Sequence, residues 1–300
     1  MRYFLKFVTR SRIHAAGTAA LGLLLPPFGF VAAGIVGVVT LKYGVADGAL
    51  VLAASVAVSS AIMLVLFQSA DPALIFAVSV GVPILLLAAV LRSTNSQGAT
   101  LAAAGALSAA AIAAVHVLTA DPVAWWRSVL ERFLVERLQR GRTPDPAMVE
   151  SLREMAEKLA PLMLGAPTGI AIGSMLLLLL ARWGHAVLDN PGGFGKEFRA
   201  LRLDKRVAYA AVLLGSGAVI LSEFASGLLP ELFNLLVVLY VLQGIAIAHA
   251  LVKHHRASTG WIFGMYILVV LAPPLAMILL SVTGFSDTWL DYRARYGGQT

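Results

Sequence analysis

The chain has 300 residues, 59% of them hydrophobic and only 13% charged, with a formal net charge of +7 and no cysteine. That balance excludes a soluble globule and points to an integral membrane protein, while the missing cysteine excludes disulfides, thiolate metal sites and cysteine nucleophiles. The 23 Lys and Arg residues sit in short clusters between apolar runs, so membrane topology accounts for the positive charge and a nucleic-acid partner is excluded.

At the amino terminus, Arg2, Lys6, Arg10 and Arg12 precede an apolar stretch, as in the basic region of a secretory signal. The stretch is too long for a signal core and many apolar runs follow it, so an uncleaved first segment is expected. Runs free of Asp, Glu, Lys and Arg cover 15–41, 48–70, 72–91, 93–120, 159–181, 207–222, 232–252 and 257–286. A helix rises about 1.5 Å per residue and needs about 20 residues to cross the hydrocarbon, so most of these runs predict transmembrane helices. Open strands are excluded because lipid leaves their backbone groups unpaired.

The first run carries Pro26-Pro27 in its middle, which makes it either one kinked span or a broken hairpin. Basic-residue counting favours the hairpin. It places fourteen Lys and Arg inside, against seven in 119–161 plus Arg293 and Arg295 outside; a single span would place ten basic residues of the short loops outside and six inside. The arms are short for full crossings, which leaves a re-entrant hairpin and two tilted spans both open.

Two helices are expected next, near 46–68 and 71–92, the second opened by Asp71 as N-cap with Pro72 in its first turn. The helix near 97–119 is alanine-rich, which suits close packing inside a bundle, and it carries His116 near its outer end. Residues 121–160 hold seven basic and seven acidic residues. There Asp121-Pro122 and Asp145-Pro146 each open a helix, one with Trp126, Leu130, Phe133, Leu134 and Leu138 on a face, the other with Met148, Leu152, Met155 and Leu159. Both predict amphipathic helices lying at the outer interface. The helix at about 161–188 carries Gly165, Gly169 and Gly173 at spacing four, a smooth groove for a neighbouring helix.

A basic loop follows. Asn190-Pro191-Gly192-Gly193-Phe194 predicts a tight turn with glycine at positive φ, and Lys196, Arg199, Arg202, Lys205 and Arg206 suit the anionic inner leaflet or a protein partner. The glycines are not a nucleotide loop, since Glu197 stands where Ser or Thr must follow Lys196. Helices at about 207–228 and 230–252 form an antiparallel pair in which Glu223 and Asn234 are expected at similar depth, with Gln243 deeper and His249 nearer the inner face. Polar groups in the bilayer are costly and mark candidate sites. The last helix, about 258–282, is broken or kinked at Pro273-Pro274, and the chain continues outside as an interfacial anchor containing Asp287, Asp291 and Arg293.

The carboxyl-terminal half resembles the YybS-like family of multispanning bacterial membrane proteins. The resemblance rests on Asn190 to Phe194, Glu197 to Leu203, Asn234-Leu235, Gln243-Gly244, Gly284 to Asp287 and Asp291 to Arg293, and covers roughly 160–295. It implies a bacterial inner-membrane protein. More distantly, that family's architecture is similar to the substrate-binding components of energy-coupling-factor vitamin transporters, which dock a coupling partner on small-residue faces; Ala15/Ala19 and Ala16/Ala20 would fit such a face.

These observations together predict an all-α polytopic bundle of about eight or nine membrane helices, including the broken early hairpin, plus two interfacial helices. It forms one integral membrane domain over 1–300, with amino-terminal helices over 1–120, an extracytoplasmic segment over 121–160 and carboxyl-terminal helices over 161–300. The amino terminus is expected in the cytoplasm and the carboxyl terminus in the periplasm. The leading expectation is a transporter-like solute-binding protein without its own ATPase, with His116, Glu223, Asn234 and Gln243 facing a small-molecule ligand. The alternative is a non-transporting scaffold or envelope-assembly factor acting through the basic loop. With no HExxH, no GxSxG and no close Asp pair in the membrane, neither an enzyme nor a cofactor is expected.

Overall fold

The computed structural model describes residues 2–25, 28–136, 145–221 and 227–296. Every regular element among them is helical. Helix α1 (Arg2–Val8) lies against the far end of the later helix Ala166–Asp189, where Gly184 admits Leu5, and α2 (Arg12–Leu24) is capped by the Ser11 hydroxyl. Helix α3 (Gly29–Tyr43) runs antiparallel to α2: Gly22 faces the Phe28 carbonyl and the Ala32 amide at one end, and the Tyr43 hydroxyl donates to the Thr9 carbonyl at the other. The first apolar run is therefore a hairpin, although Pro26 and Pro27 themselves lie outside the described residues. Its arms of 13 and 15 residues rise only about 20 and 22 Å, short of a hydrocarbon layer of about 30 Å.

Helix α4 (Val45–Phe67) turns off α3 at Gly44, whose φ of +120° a side chain would resist. Helix α5 (Asp71–Thr94) contains a π-turn at Ala77–Gly81, and its N-cap is Ala70, one residue before the expected Asp71. Ala15, Ala19, Ala32, Val36, Val51 and Ile84 close the core of this amino-terminal group. Ala15, Ala19 and Ala20 are buried and Ala16 is half-buried, so most of the small-residue face expected to dock a coupling partner packs inside the chain.

Helix α6 (Gln97–Leu118) buries Leu101, Ala104, Gly105, Ser108 and Ile112, one stripe at helical spacing, and leaves Ala106, Ala110 and Ala111 exposed. Helices α7 (Pro122–Glu131) and α8 (Pro146–Leu159) carry the expected caps: the Asp121 carboxylate accepts from the Val123 and Ala124 amides, and the Asp145 carboxylate from Ala147. Leu138 lies outside the described residues. Helix α8 is continuous with its successor: a 3₁₀ turn at Ala160–Gly165 joins it to α9 (Ala166–Asp189), giving one 44-residue helical run, Pro146–Asp189. Among the described residues, a side chain added at Gly165, Gly169 or Gly173 would meet nothing within 4 Å, so none of them fills the expected groove; a close approach occurs instead where Ala181 of α9 meets Gly37 of α3.

The carboxyl-terminal part comprises α10 (Gly193–Arg199), α11 (Lys205–Ile220), α12 (Leu228–His254), α13 (Gly260–Leu271), α14 (Pro273–Leu290) and α15 (Tyr292–Tyr296). Helices α11 and α12 are the predicted antiparallel pair, with Gly215 against Phe233 and Gly217 against Leu229. The Pro273-Pro274 kink is a full break at Ala272. Among the described residues, five helices are long and apolar enough to cross a membrane: Val45–Phe67, Asp71–Thr94, Gln97–Leu118, Pro146–Asp189 and Leu228–His254.

Candidate functional site at the basic loop

Beyond α9 the chain makes the predicted turn. Gly192 adopts φ +88° and the Gly193 amide donates to the Asn190 carbonyl at 3.0 Å, with Pro191 exposed between them. The next residues are not loop, as the sequence suggested, but the short helix α10, on which Phe194 and Phe198 stack and Phe198 meets His249 edge-on. After Ala200, which still has helical dihedrals, residues 201–204 leave the helix and reach an extended Asp204. Leu201 and Leu203 point into the core and Arg202 points the other way, as strand-like alternation requires. The extended segment lies on the first turn of α6, where a Cβ at Gly98 would sit 1.9 Å from the Arg202 carbonyl. The Asp204 carboxylate then caps α11 through the Arg206 amide.

Gln243 of α12 is fully buried and holds this segment in place. Its Oε1 accepts the Leu203 amide at 2.7 Å, and its Nε2 donates to the Gly284 carbonyl of α14 at 2.7 Å. Helices α12 and α14 touch through bare backbone: a Cβ at Gly284 would lie 2.1 Å from the Tyr240 carbonyl, and one at Gly244 would lie 2.1 Å from the Leu280 carbonyl.

A charged knot surrounds this contact. Asp287 has no exposed surface, and its carboxylate accepts from Arg293 Nη2 at 2.6 Å and from the Tyr292 amide at 2.9 Å. Arg293 Nη1 donates to the carbonyls of Arg199 and Leu201, both at 2.9 Å. Arg202 donates to the Asp287 carbonyl and to Asp291 Oδ2, each at 2.9 Å. The Arg202 hydrogen bond holds the Asp291 carboxyl below its usual range. Contacts of this length cannot reach across a hydrocarbon layer about 30 Å thick. The loop and the carboxyl-terminal motif therefore lie together, which corrects the expectation that one faces the cytoplasm and the other the periplasm.

The four residues expected to face a ligand do not converge. Glu223 lies outside the described residues. His116 Nε2 pairs with Glu231 at 2.9 Å, both largely buried, beside Gly227. Glu231 escaped the sequence reading because it sits at the boundary between two charge-free runs. Asn234 is exposed on α12. Gln243, twelve residues beyond Glu231 on the same helix, stands about 18 Å away along its axis.

The sequence reading also missed a polar cavity of about 250 Å³, lined among others by Arg92, Asn95, Arg182, His185 and Glu197. Arg182 grips Glu197 with two bonds, Nε to Oε2 at 2.8 Å and Nη2 to Oε1 at 2.5 Å. Its Nη1 lies 2.8 Å from His185 Nδ1, and a guanidinium only donates, so Nδ1 accepts. His185 Nε2 faces Asp189 at 3.2 Å, and Arg92 Nη1 donates to the Leu41 carbonyl. Four segments are tied together here by side chains that no short motif joins.

The family described as Predicted membrane protein (DUF2232) matches residues 142–288, just under half of the chain, a stretch that includes the loop, Gln243 and Asp287. No curated protein and no solved structure matches. The match and the five long apolar helices agree that this is a multi-pass membrane protein.

Proposed function

We propose that the protein is a non-transporting membrane scaffold that presents a cationic face, built on the basic loop, to an acidic protein partner. The observation that supports this most is where its charges go. Arg182, Arg202 and Arg293 are spent inside the fold, whereas Lys196 on α10 and Lys253 and Arg256 at the end of α12 are exposed and make no ion pair among the described residues. Phe198 packs on His249, one turn before Lys253, so α10 and the end of α12 lie side by side. The solute-binding reading has less support: His116 and Gln243 are committed to internal partners, and the cavities at α11/α14 and α13/α14 have apolar linings.

On this reading the α2–α3 hairpin, counted as one segment or two, helix α11 and the broken α13–α14 segment add to the five long helices, for about eight or nine membrane segments in a bacterial inner membrane. The amino terminus, Lys42 and the basic loop face the cytoplasm, together with the Asp287–Arg293 knot. The resemblance to the YybS-like family fits this placement, and the more distant likeness to vitamin-binding transporter components is not needed for it.

The test is site-specific photocrosslinking from position 200, the exposed alanine that ends α10, in intact cells, with the adduct identified by mass. A defined protein adduct, lost on combined Lys196→Glu, Lys253→Glu and Arg256→Glu with thermal stability retained, is expected. Adducts unchanged by the reversal, or solute uptake by the purified protein in liposomes, would refute the proposal.

A further inference from the structure

Helices α11, α12 and α14 enclose an apolar groove of about 300 Å³ that includes Val212, Gly215, Ser216, Phe233, Tyr240 and Phe285 in its lining. Its outer walls face lipid: Leu213, Val219 and Ile220 of α11 and Ile278 and Val282 of α14 are all exposed. One side of the groove is a ladder of aromatic rings in edge-on contact. Tyr240 meets Phe285 at 5.4 Å, Phe285 meets Trp289 at 4.8 Å, and Trp289 meets Tyr209 at 6.5 Å. The ladder runs from a buried ring to exposed ones, since Tyr240 is 2% exposed, Trp289 45% and Tyr209 61%.

Above the exposed end stands positive charge. Lys205, Tyr209, Val212 and Ser216 fall at i, i+4, i+7 and i+11 of α11, one helical stripe, so Lys205 sits on the groove's own line about 10 Å above Val212. Arg206 is its neighbour. Both are exposed and make no ion pair among the described residues, and both stand in the first turn of a 16-residue helix. The acidic neighbour, Asp204, is occupied in capping Arg206.

An apolar slot, then a pair of exposed aromatics at interfacial height, then cations, in that order along one stripe, matches the order of parts in an anionic phospholipid. We propose that this groove is a specific site for one anionic phospholipid of the surrounding bilayer, with an acyl chain along Val212, Ser216 and Phe285 and the phosphate at Lys205 and Arg206. The site is separate from the cationic face at Lys196, Lys253 and Arg256, and stands or falls independently of it.

The test is fluorescence quenching of Trp289, taken as the difference between the parent and Trp289→Phe, in phosphatidylcholine bilayers doped with bromine-labelled phosphatidylglycerol or bromine-labelled phosphatidylcholine. The parent should show saturable quenching with roughly five- to thirtyfold preference for the phosphatidylglycerol probe, the range expected for one or two cations near the surface. Lys205→Glu with Arg206→Glu should remove the preference but keep the quenching. Ser216→Leu, which fills the groove, should remove saturation for both probes, with thermal melting confirming that each variant is folded. Equal quenching by the two probes in the parent, or a preference that survives both the charge reversal and the filled groove, would overturn the proposal.

Discussion

Gln243 offers the sharpest test of how the carboxyl-terminal part is held. Replacing it with leucine keeps the volume but strands the Leu203 amide and the Gly284 carbonyl, both at present satisfied at 2.7 Å in a fully buried setting. An orphaned buried backbone group costs about 1–3 kcal/mol, so the pair should cost about 2–6 kcal/mol, less whatever the extra apolar contact returns. For a protein of this size each kcal/mol moves the melting midpoint by about 2–4 °C, which predicts a drop of roughly 5–20 °C for detergent-purified Gln243→Leu. Gln243→Glu can make both bonds only when protonated; ionised, it buries an unpaired charge against the Gly284 carbonyl and should melt below the leucine variant. Asn234→Ala, on the same helix but exposed, is the matched control and should shift stability by no more than about 0.5 kcal/mol. Should Gln243→Leu melt with the parent, the assignment of Gln243 as the tie between loop and α14 is wrong.

Arg293→Ala removes the main cation of a buried carboxylate and should cost about 3–5 kcal/mol, read as a lower melting midpoint that Asp287→Asn in the same chain partly restores. Gly284→Ala places a methyl group 2.1 Å from the Tyr240 carbonyl, so it should destabilise by at least about 1–3 kcal/mol; a neutral result would mean that α12 and α14 do not touch. The Asp291 carboxyl is held below its unfolded value of 3.8, so its bond to Arg202 contributes fully above pH 3.8 and is lost as pH falls through the folded value. The stability gap between parent and Asp291→Asn should therefore close on acidification; because Asp291 is 41% exposed the gap is small, and one that widens below pH 3.8 would contradict the sign.

Much of the fold is written in where charge is absent. The runs at 48–70, 72–91 and 93–120 became α4, α5 and α6, because twenty-odd uncharged apolar residues have few alternatives in lipid. The caps at Asp121 and Asp145 and the turn glycine at Gly192 were equally plain, since each depends on a local bond or a dihedral. What stayed hidden depends on distant partners. Gln243 looked like a polar residue facing a cavity because its two partners, Leu203 and Gly284, are backbone groups about forty positions away on either side. Periodicity cannot report a backbone acceptor. The length of Pro146–Asp189 was missed for a related reason: the charges of 150–158 mark an interface, and nothing in them says that the helix continues past it.

The Asp287–Arg293 knot also bears on how the protein comes to be assembled. Arg202 meets its partners 85 and 89 residues later in the chain, and Arg293 reaches back 94 and 92 residues to the carbonyls of Arg199 and Leu201. During synthesis the loop is made long before anything can fasten it. Until α14 has been made, Arg202 and those carbonyls must find other partners. Closure of the carboxyl-terminal half is thus a late event, made by the final residues of α14 and the short helix beyond it. A chain halted before Asp287 would carry its helices in place with the latch still open.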